Sequence, residues 1–404
     1  MKENIEPLID GILRDNVVDI IQRESLEQKL RSGKKLRIKL GFDPTSPDLH
    51  LGHAIVLRKL RQFQDAGHKV VFIIGDFTTT IGDPSGASQL RPMLSREAIK
   101  KNSKTYFQQV GKILDAGKAE IRRNSEWLSK VSLERWLGIL RQFTVSRILE
   151  RDDFQKRLKG GQEVWLHEIM YPLLQAYDSY AIKADIEIGA TDQLFNLLAG
   201  RALQEKLGQP PQDILTTEIL VGLDGLKKMS KSIGNYIGLA EPAGSMFGKL
   251  MSLKDELMPA YFRLATTRAK DEVADIERRM SGGENPRDIK LDLATEVVSL
   301  YHGPAAGMRA RAEFIKVFSK KEMPSAMNEV KLSGGSYEAV ALLMSLQLAK
   351  SKSEARRLIE QGGIEIIPKR GVREKLENPL QFVAVTDGTV IRAGKTRFVR
   401  IQVL

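Results

Sequence analysis

Two short motifs, far apart in the sequence, constrain the fold of this chain more than any other feature. The first is HLGH at residues 50–53, shortly after GFDPT at residues 41–45, and the second is KKMSKSIGN at residues 227–235. The first combines two imidazoles with a glycine that permits close backbone approach, and the second offers ammoniums and hydroxyls on what we expect to be a flexible loop. Together they suit one task, which is to hold the triphosphate of a nucleotide while its α-phosphorus is attacked.

The residues up to about 235 alternate strand-like and helix-like segments. Apolar residues recur at helical spacing over 52–66, and a second helix opens at Ser95, whose side chain can cap it. The strand candidates are residues 36–40, the continuous apolar run 70–74, and residues 184–188. This order predicts an α/β fold with a Rossmann-like, doubly wound parallel sheet.

The remaining segments predict two further domains, as the length of 404 residues also favours. A charged helical insertion is expected around 120–165, where Trp127, Trp136 and Phe143 suggest an apolar patch and a subunit interface. Beyond the first domain, residues 1–235, the predicted segments are an all-helical domain at 236–332, a Ser-Gly linker at 333–336, and a small α+β domain at 337–404.

Composition narrows the classes of protein and of site. Lys and Arg total 63 against 51 Asp and Glu, a net charge of +12, which indicates either simple solubility or a polyanionic partner. The absence of cysteine excludes disulfides, thiol catalysis and cysteine-ligated zinc. No apolar signal core or membrane-length run is present, so we expect a cytoplasmic protein.

A His-x-x-His pair alone is also typical of a surface pair or of a two-histidine metal site. A metal site would need a third ligand, and the chain has three other histidines and no cysteine. We therefore predict no protein-bound metal. The order of the two motifs around a doubly wound sheet is the stronger indication.

Because the two motifs occur in this order around the predicted sheet, the chain resembles the class I aminoacyl-tRNA synthetases. In that family an amino acid's carboxylate attacks the α-phosphate of ATP. No side chain has to be a nucleophile, so catalysis needs positioning and neutralisation of phosphoryl charge. The resemblance implies catalytic roles for Thr45, His50, His53, Lys228 and Lys231. It implies ATP contacts from Gly41, Gly52, Asp192 and Lys231.

Three segments, IGDPSG at 81–86, YPLLQAYD at 171–178 and IGATDQ at 188–193, resemble the bacterial tyrosyl-tRNA synthetases specifically. A helix would place Tyr171, Gln175 and Asp178 on one face, and Pro172 predicts that this helix starts or kinks there. In the family the residue matching Asp178 accepts a hydrogen bond from the phenol. The tyrosine-binding residues implied by the resemblance are Asp43, Thr78, Asp83, Tyr171, Gln175, Asp178 and Gln193.

The chain departs from this family at two positions. Many bacterial members carry a tyrosine two positions before the glycine of GFDP, where it shares the phenol contact, and this chain has Lys39. Ala190 replaces a glycine near the ribose site. Lys39 points to the second bacterial subgroup.

Residues 337–404 resemble the S4 RNA-binding domain, with a basic helix within 349–363 followed by strands that end in TRFVRI. From Ser336 onward there are 12 Lys and Arg against 7 Asp and Glu. The resemblance implies tRNA phosphate contacts from Lys352, Arg356 and Arg357.

The resemblance implies a homodimeric tyrosine–tRNA ligase that forms tyrosyl-adenylate from tyrosine and Mg²⁺-bound ATP, then transfers the tyrosyl group to the terminal adenosine of tRNA(Tyr). The domain at 236–332 would lie on the anticodon side. Three alternatives remain: a tryptophanyl enzyme, a non-catalytic paralogue that binds RNA, and another His-x-x-His nucleotidyltransferase. Asp178 and the tail argue against a tryptophanyl enzyme. The intact phosphate motifs argue against a non-catalytic paralogue. The helical domain and the tail argue against another His-x-x-His nucleotidyltransferase, which would lack both.

Overall fold

A computed structural model describes residues 6–84, 94–319, 323, 327–369, 371–394 and 397–404. Ser85 and Gly86 of the 81–86 segment and Thr396 of the tail lie outside these residues. The chain forms two compact units, Met1–Gly307 and Met308–Leu404, which are described separately.

The first unit is built on a six-stranded sheet with the order β1-β6-β5-β2-β3-β4. All neighbouring strands are parallel except β1 and β6. The strands are β1 Val17–Ile21, β2 Arg37–Phe42, β3 Lys69–Ile74, β4 Glu120–Arg123, β5 Ile186–Ala190 and β6 Asp213–Thr217. The predicted doubly wound parallel sheet is confirmed, with β2 and β5 shifted by one or two residues from the sequence prediction.

Fifteen helices accompany this sheet in the described residues. They are α1 Glu6–Arg14, α2 Arg23–Arg31, α3 Leu51–Asp65, α4 Arg96–Val110, α5 Ser125–Leu128, α6 Leu133–Leu140, α7 Val145–Leu149, α8 Asp152–Lys159, α9 Leu166–Ile182, α10 Leu194–Lys206, α11 Ala243–Met251, α12 Met258–Ala265, α13 Lys270–Ser281, α14 Pro286–His302 and α15 Pro304–Phe314, and a π-helical turn follows at Ile315–Ser319. Ser95 caps α4 by accepting from Ala98 N, as the sequence predicts, and Asn285 caps α14 in the same way by accepting from Arg287 N.

The chain reverses direction across the sheet between β2 and β5. From β2 the chain continues to β3 on one side, whereas β5 and β6 lie on the other. Ligands bind at the carboxyl ends of the strands at such a switch point. The residues that follow these strand ends are Asp43 after β2 and Thr191 after β5.

Two sequence predictions in this unit need correction. The expected insertion begins with a strand, because β4 extends the sheet by pairing with β3, and only α5 to α8 are inserted helices. Trp127 and Trp136 are partly buried and pack against the core, so they do not form an exposed patch. The helix that carries Tyr171 does not start at Pro172, because Pro172 lies inside α9. The alternative, a kink at Pro172, stays a prediction.

In its described residues the second unit contains the C-terminal part of α15, the π-helical turn, a five-stranded sheet, a two-stranded sheet and two further helices. Its strands are β7 Asn328–Leu332, β8 Gly335–Glu338, β9 Ile364–Ile367, β10 Glu374–Leu376, β11 Phe382–Val385, β12 Val390–Ala393 and β13 Arg397–Val403, and the further helices are α16 Ala339–Ser345 and α17 Lys352–Glu360. The orders are β10-β9-β12-β13-β7 and β11-β8.

The predicted linker at 333–336 is wrong. Gly335 and Ser336 belong to β8, and β7, which precedes them, pairs in parallel with β13. Val330 and Leu332 of β7 pack against the same apolar cluster as α16 and α17. This α+β fold therefore begins before the Ser-Gly sequence.

Among the described residues no helix combines the length and the apolar character that crossing a bilayer requires.

Candidate active site

A cavity of about 690 Å³ lies at the switch point of the first sheet. All fifteen residues that the sequence assigns to catalysis, ATP or tyrosine line it. They are Gly41, Asp43, Thr45, His50, Gly52, His53, Thr78, Asp83, Tyr171, Gln175, Asp178, Asp192, Gln193, Lys228 and Lys231.

The two phosphate motifs are joined through their backbones. The segment after the second motif pairs with the start of α3, since Leu51 N donates to Ile237 O at 3.0 Å and Leu239 N to Leu49 O at 2.8 Å. The loop between 221 and 235 is folded on itself, because Asn235 bonds Ser230 N at 2.7 Å and Asp224 Oδ2 at 3.0 Å. These bonds give the loop a defined turn, from which two lysines reach the cavity. The flexibility of the loop stays a prediction.

Both histidines of the first motif are neutral at physiological pH. Burial and the nearby lysines lower the pKa of His50 to about 3, and burial also lowers the pKa of His53 well below its usual value. The backbone N–H of His50 donates to Nδ1 of His53 at 3.2 Å, so the proton of His53 is on Nε2. The imidazoles can therefore donate hydrogen bonds to phosphate oxygens, but the positive charge must come from elsewhere.

Lys228 and Lys231 are two lysines that line the same cavity. Lys228 Nζ lies 2.6 Å from Asp192 Oδ2, and Lys231 Nζ donates to Ser46 Oγ and lies 5.6 Å from the Tyr106 ring centre. Burial lowers the pKa of Lys231 to about 8. Lys228 must release Asp192 before that carboxylate can accept hydroxyls from a ribose.

A partly buried carboxylate, Asp43, is fixed at the end of β2. Thr78 Oγ1 donates to Oδ1 at 2.7 Å and the Tyr171 hydroxyl donates to Oδ2 at 3.0 Å. Burial is the chief reason that the pKa of Asp43 is raised to about 7. Gly75 makes this arrangement possible, because a Cβ there would lie 2.0 Å from Asp43 Oδ1 and 2.4 Å from Thr78 Oγ1.

A second buried carboxylate, Asp178, accepts bonds from two side chains. Trp127 Nε1 donates to Oδ1 at 2.7 Å and Asn124 Nδ2 donates to Oδ2 at 3.2 Å. Burial raises the pKa of Asp178 to about 7, against the opposing effects of Lys39, Trp127 and Asn124. The two donors hold the carboxylate on the cavity wall.

A third carboxylate, Asp83, connects two further elements of the site. Gln193 Nε2 donates to Asp83 Oδ2 at 2.7 Å, and the buried Arg151 places a guanidinium nitrogen 3.6 Å from Oδ1. Arg151 comes from the inserted helices, so the insertion helps to shape the cavity.

Lys39, where the family often has tyrosine, is fully buried. Its ammonium donates to Glu187 Oε1 at 2.7 Å, Ser179 Oγ at 2.8 Å and the backbone oxygen of Gln175 at 3.0 Å. These three bonds use all three ammonium hydrogens. Lys39 therefore has no hydrogen left for a ligand hydroxyl.

The three predicted tRNA contacts lie in the second unit. Lys352, Arg356 and Arg357 are exposed on α17, whose buried residues are Ala355 and Ile359.

The sequence did not reveal the residues that support the cavity. The most important are Gly75, Asn124, Arg151, Ser179, Glu187 and Gln212. Their partners are distant in sequence and are joined by hydrogen bonds that no local pattern encodes. The one available signal was the position of Glu187 between two apolar residues of a strand. An acidic residue buried in a sheet needs a cation, so this pattern indicates a partner for Glu187.

Comparison with known proteins agrees with this geometry. Residues 31–319 match the sequence profile of the tRNA synthetases class I (W and Y). The chain is 49% identical to a tyrosine–tRNA ligase of Thermotoga maritima, over 97% of this chain and 96% of that protein. It is 50% identical to one of Dehalococcoides mccartyi, over 97% and 98%.

Solved structures share the fold at lower identity. A tyrosyl-tRNA synthetase of Archaeoglobus fulgidus, complexed with L-tyrosine, superposes with a TM-score of 0.60 at 21% identity, covering 76% of this chain and all of that one. A tryptophanyl-tRNA synthetase of Plasmodium falciparum gives 0.59 at 16% identity, covering 76% and 87%. The fold alone thus does not separate the two amino acids, whereas the sequence matches over nearly the whole chain do: the chain belongs to the class I tRNA synthetases of the tryptophan and tyrosine type, and within them to the bacterial tyrosyl-tRNA synthetases.

Proposed function

We propose that this chain activates tyrosine with ATP, forming tyrosyl-adenylate and pyrophosphate, and then transfers the tyrosyl group to the 3′-terminal adenosine of tRNA(Tyr). The observation that carries this proposal is one cavity lined both by a buried carboxylate, Asp178, and by the ammoniums of Lys228 and Lys231. The carboxylate suits a phenol hydroxyl, and the ammoniums suit a triphosphate.

The chemistry needs no protein nucleophile. Asp43, Thr78, Asp83, Tyr171, Gln175 and Gln193 position the amino acid so that its carboxylate oxygen approaches the α-phosphorus. The P–O bond to pyrophosphate breaks as the new bond forms, and Lys228, Lys231, Thr45 and the neutral imidazoles of His50 and His53 stabilise the charge on the leaving oxygens. Gly41, Gly52 and Asp192 hold the adenosine.

Magnesium enters this proposal with the nucleotide. Mg²⁺ is usually bound by substrate phosphates, water and one or two carboxylates. Among the described residues no group of three or more His, Asp or Glu side chains could hold a metal ion. In this proposal Mg²⁺ is bound by the phosphates of ATP.

Pyrophosphate exchange with each of the twenty amino acids tests the proposal. Exchange is expected with tyrosine alone. Exchange with tryptophan instead would favour the sister enzyme, and no exchange with any amino acid would favour an RNA-binding paralogue.

We assign tRNA binding to the second unit, so removing it should separate the two half-reactions. Deletion of residues 328–404 is expected to leave adenylate formation within about threefold, because no cavity residue lies there. Aminoacylation should collapse at low tRNA concentration, since phosphate contacts are lost. The cut precedes β7, because a cut after Ser333 would leave β7 without β13. Undiminished charging of tRNA by the shortened protein would contradict this assignment.

A full-length variant localises the effect to α17. Replacing Lys352, Arg356 and Arg357 by Ala should lower both tRNA affinity and its salt dependence. Replacing the exposed Lys369, Arg373 and Lys375 by Ala removes the same charge elsewhere in the unit and serves as the control.

We also propose that the chain forms a homodimer through the inserted helices. Large apolar side chains are exposed there, led by Leu133 at 74% and Leu166 at 80%. The others between them are Leu137, Val145, Leu158 and Trp165. A second copy of the chain would cover these groups.

Charged substitutions test the dimer. Leu133→Glu with Leu166→Glu should produce a monomer by light scattering, because two carboxylates would have to be buried in the interface. Val372→Glu, at an equally exposed position in the second unit, should stay dimeric. A wild-type monomer, or a double variant that remains dimeric, would disprove the assignment.

A further inference from the structure

The wall of the cavity at Gln175 is backed by a buried charge pair, Lys39 and Glu187. The side chains of Lys39 and Glu187 are 0% and 1% exposed, and Lys39 Nζ lies 2.7 Å from Glu187 Oε1. Glu187 also lines the cavity, and so does Gln175. A buried ion pair is weak evidence for stability, so its place beside a ligand cavity calls for another explanation.

Every oxygen of Glu187 is occupied by donors. Oε1 accepts from Lys39 and from Gln175 Nε2, the latter at 3.2 Å. Oε2 accepts from Ser179 Oγ at 2.9 Å and from Gln212 Nε2. Gly200 leaves room for this cluster, because a Cβ there would lie 2.7 Å from Gln212 Nε2 and 2.8 Å from Ser179 Oγ.

An ionised carboxylate only accepts hydrogen bonds, whereas the two ends of a glutamine amide differ. The Gln175 amide can therefore bond to Glu187 only through its NH₂ end, which donates. The carbonyl oxygen Oε1 of Gln175 is then the end left to interact with a ligand. Lys39 is needed because a carboxylate this deeply buried keeps its charge only beside a cation.

We propose that Glu187, kept ionised by Lys39, is a positioning residue that orients the Gln175 amide so that its oxygen accepts from the α-ammonium of the substrate. This inference rests on the proposed function, in which Gln175 contacts tyrosine. It gives Lys39 a part in recognising the ammonium end of the amino acid instead of the phenol end.

The test compares two ligands by calorimetry on the intact chain: L-tyrosine and 3-(4-hydroxyphenyl)propanoate, which lacks the ammonium. The double variant Lys39→Met, Glu187→Met removes both charges together, which avoids leaving one of them buried and unpaired. L-Tyrosine is expected to bind about 10- to 100-fold more weakly, the range for one hydrogen bond to a charged group. Binding of the propanoate should change by less than about twofold.

A conservative variant should rescue binding. In Glu187→Gln, Lys39 still holds the carbonyl end of residue 187, which can still accept from Gln175, so L-tyrosine affinity should stay within about threefold. Should the double methionine variant fail to fold, Lys39→Met with Glu187→Gln keeps the size of residue 187. Without the ammonium, the donors Ser179 and Gln212 favour the carbonyl oxygen of residue 187 on their side, which turns its NH₂ end towards Gln175. L-Tyrosine alone should therefore again bind more weakly.

In a Gln175→Ala background, the double methionine change should have no further effect on L-tyrosine. If the affinities for both ligands fell equally, the pair would only shape the cavity. If the affinity for L-tyrosine were unchanged, the pair would not position Gln175. Either result overturns the inference. A wild-type protein that binds neither ligand would instead contradict the proposed function.

Discussion

Asp178→Ala is expected to remove most of the preference for tyrosine over phenylalanine. Phenylalanine would bury the Asp178 carboxylate without the hydroxyl that completes its hydrogen bonding, and Trp127 and Asn124 hold that carboxylate in place. Tyrosyl-tRNA synthetases are themselves the standard example of such discrimination, about 10⁵-fold, so the magnitude comes from that example and not from this structure.

The measurement is the ratio of kcat/KM for the two amino acids in pyrophosphate exchange. Asp178→Asn provides a graded comparison, because the amide keeps the size and one acceptor oxygen and should retain part of the ratio. An Ala variant as selective as the wild type would show that another residue recognises the hydroxyl.

Lys231→Ala is expected to slow adenylate formation by about 10²- to 10³-fold, the effect of removing one donor that stabilises transition-state charge. Tyrosine affinity should hardly change, because the ammonium acts on the leaving pyrophosphate. Single-turnover formation of adenylate gives the rate, and calorimetry gives the affinity.

Lys227→Ala is the matched control, since Lys227 belongs to the same loop but is exposed and does not line the cavity. The low pKa of Lys231, about 8, adds a pH test. Raising the pH through this value removes the ammonium proton, so kcat/KM for ATP should fall above about pH 8. A variant that weakened tyrosine binding at an unchanged maximal rate would contradict the assignment.

The sequence predicted the sheet, and it singled out residues that the fold brings to one cavity, because both leave local signals. Apolar runs mark buried strands, and HLGH, KMSKS and the Tyr171–Asp178 spacing are short motifs. The predictions failed where the deciding interaction is long-range. Gly335 and Ser336, typical of a linker, form an edge strand because they pair with Val385 and Ala384 of β11.

The partners of Lys39 show the same limit. The sequence marked Lys39 as an exception to the family pattern but gave no account of how a lysine could be buried there. Its three acceptors come from Glu187 in β5 and from two residues of α9, Gln175 and Ser179, all more than 130 residues away along the chain. Only the folded sheet brings them together.

The pairing of β7 with β13 has a consequence for synthesis of the protein in the cell. Glu329 and Arg400, neighbours in this ladder, are 71 residues apart in sequence. At about 5–20 residues per second, the ribosome delivers β13 roughly 4–14 s after β7. During that interval β7 is an unpaired edge that could join another nascent chain, and Glu329 and Lys331 supply the charges that discourage such aggregation.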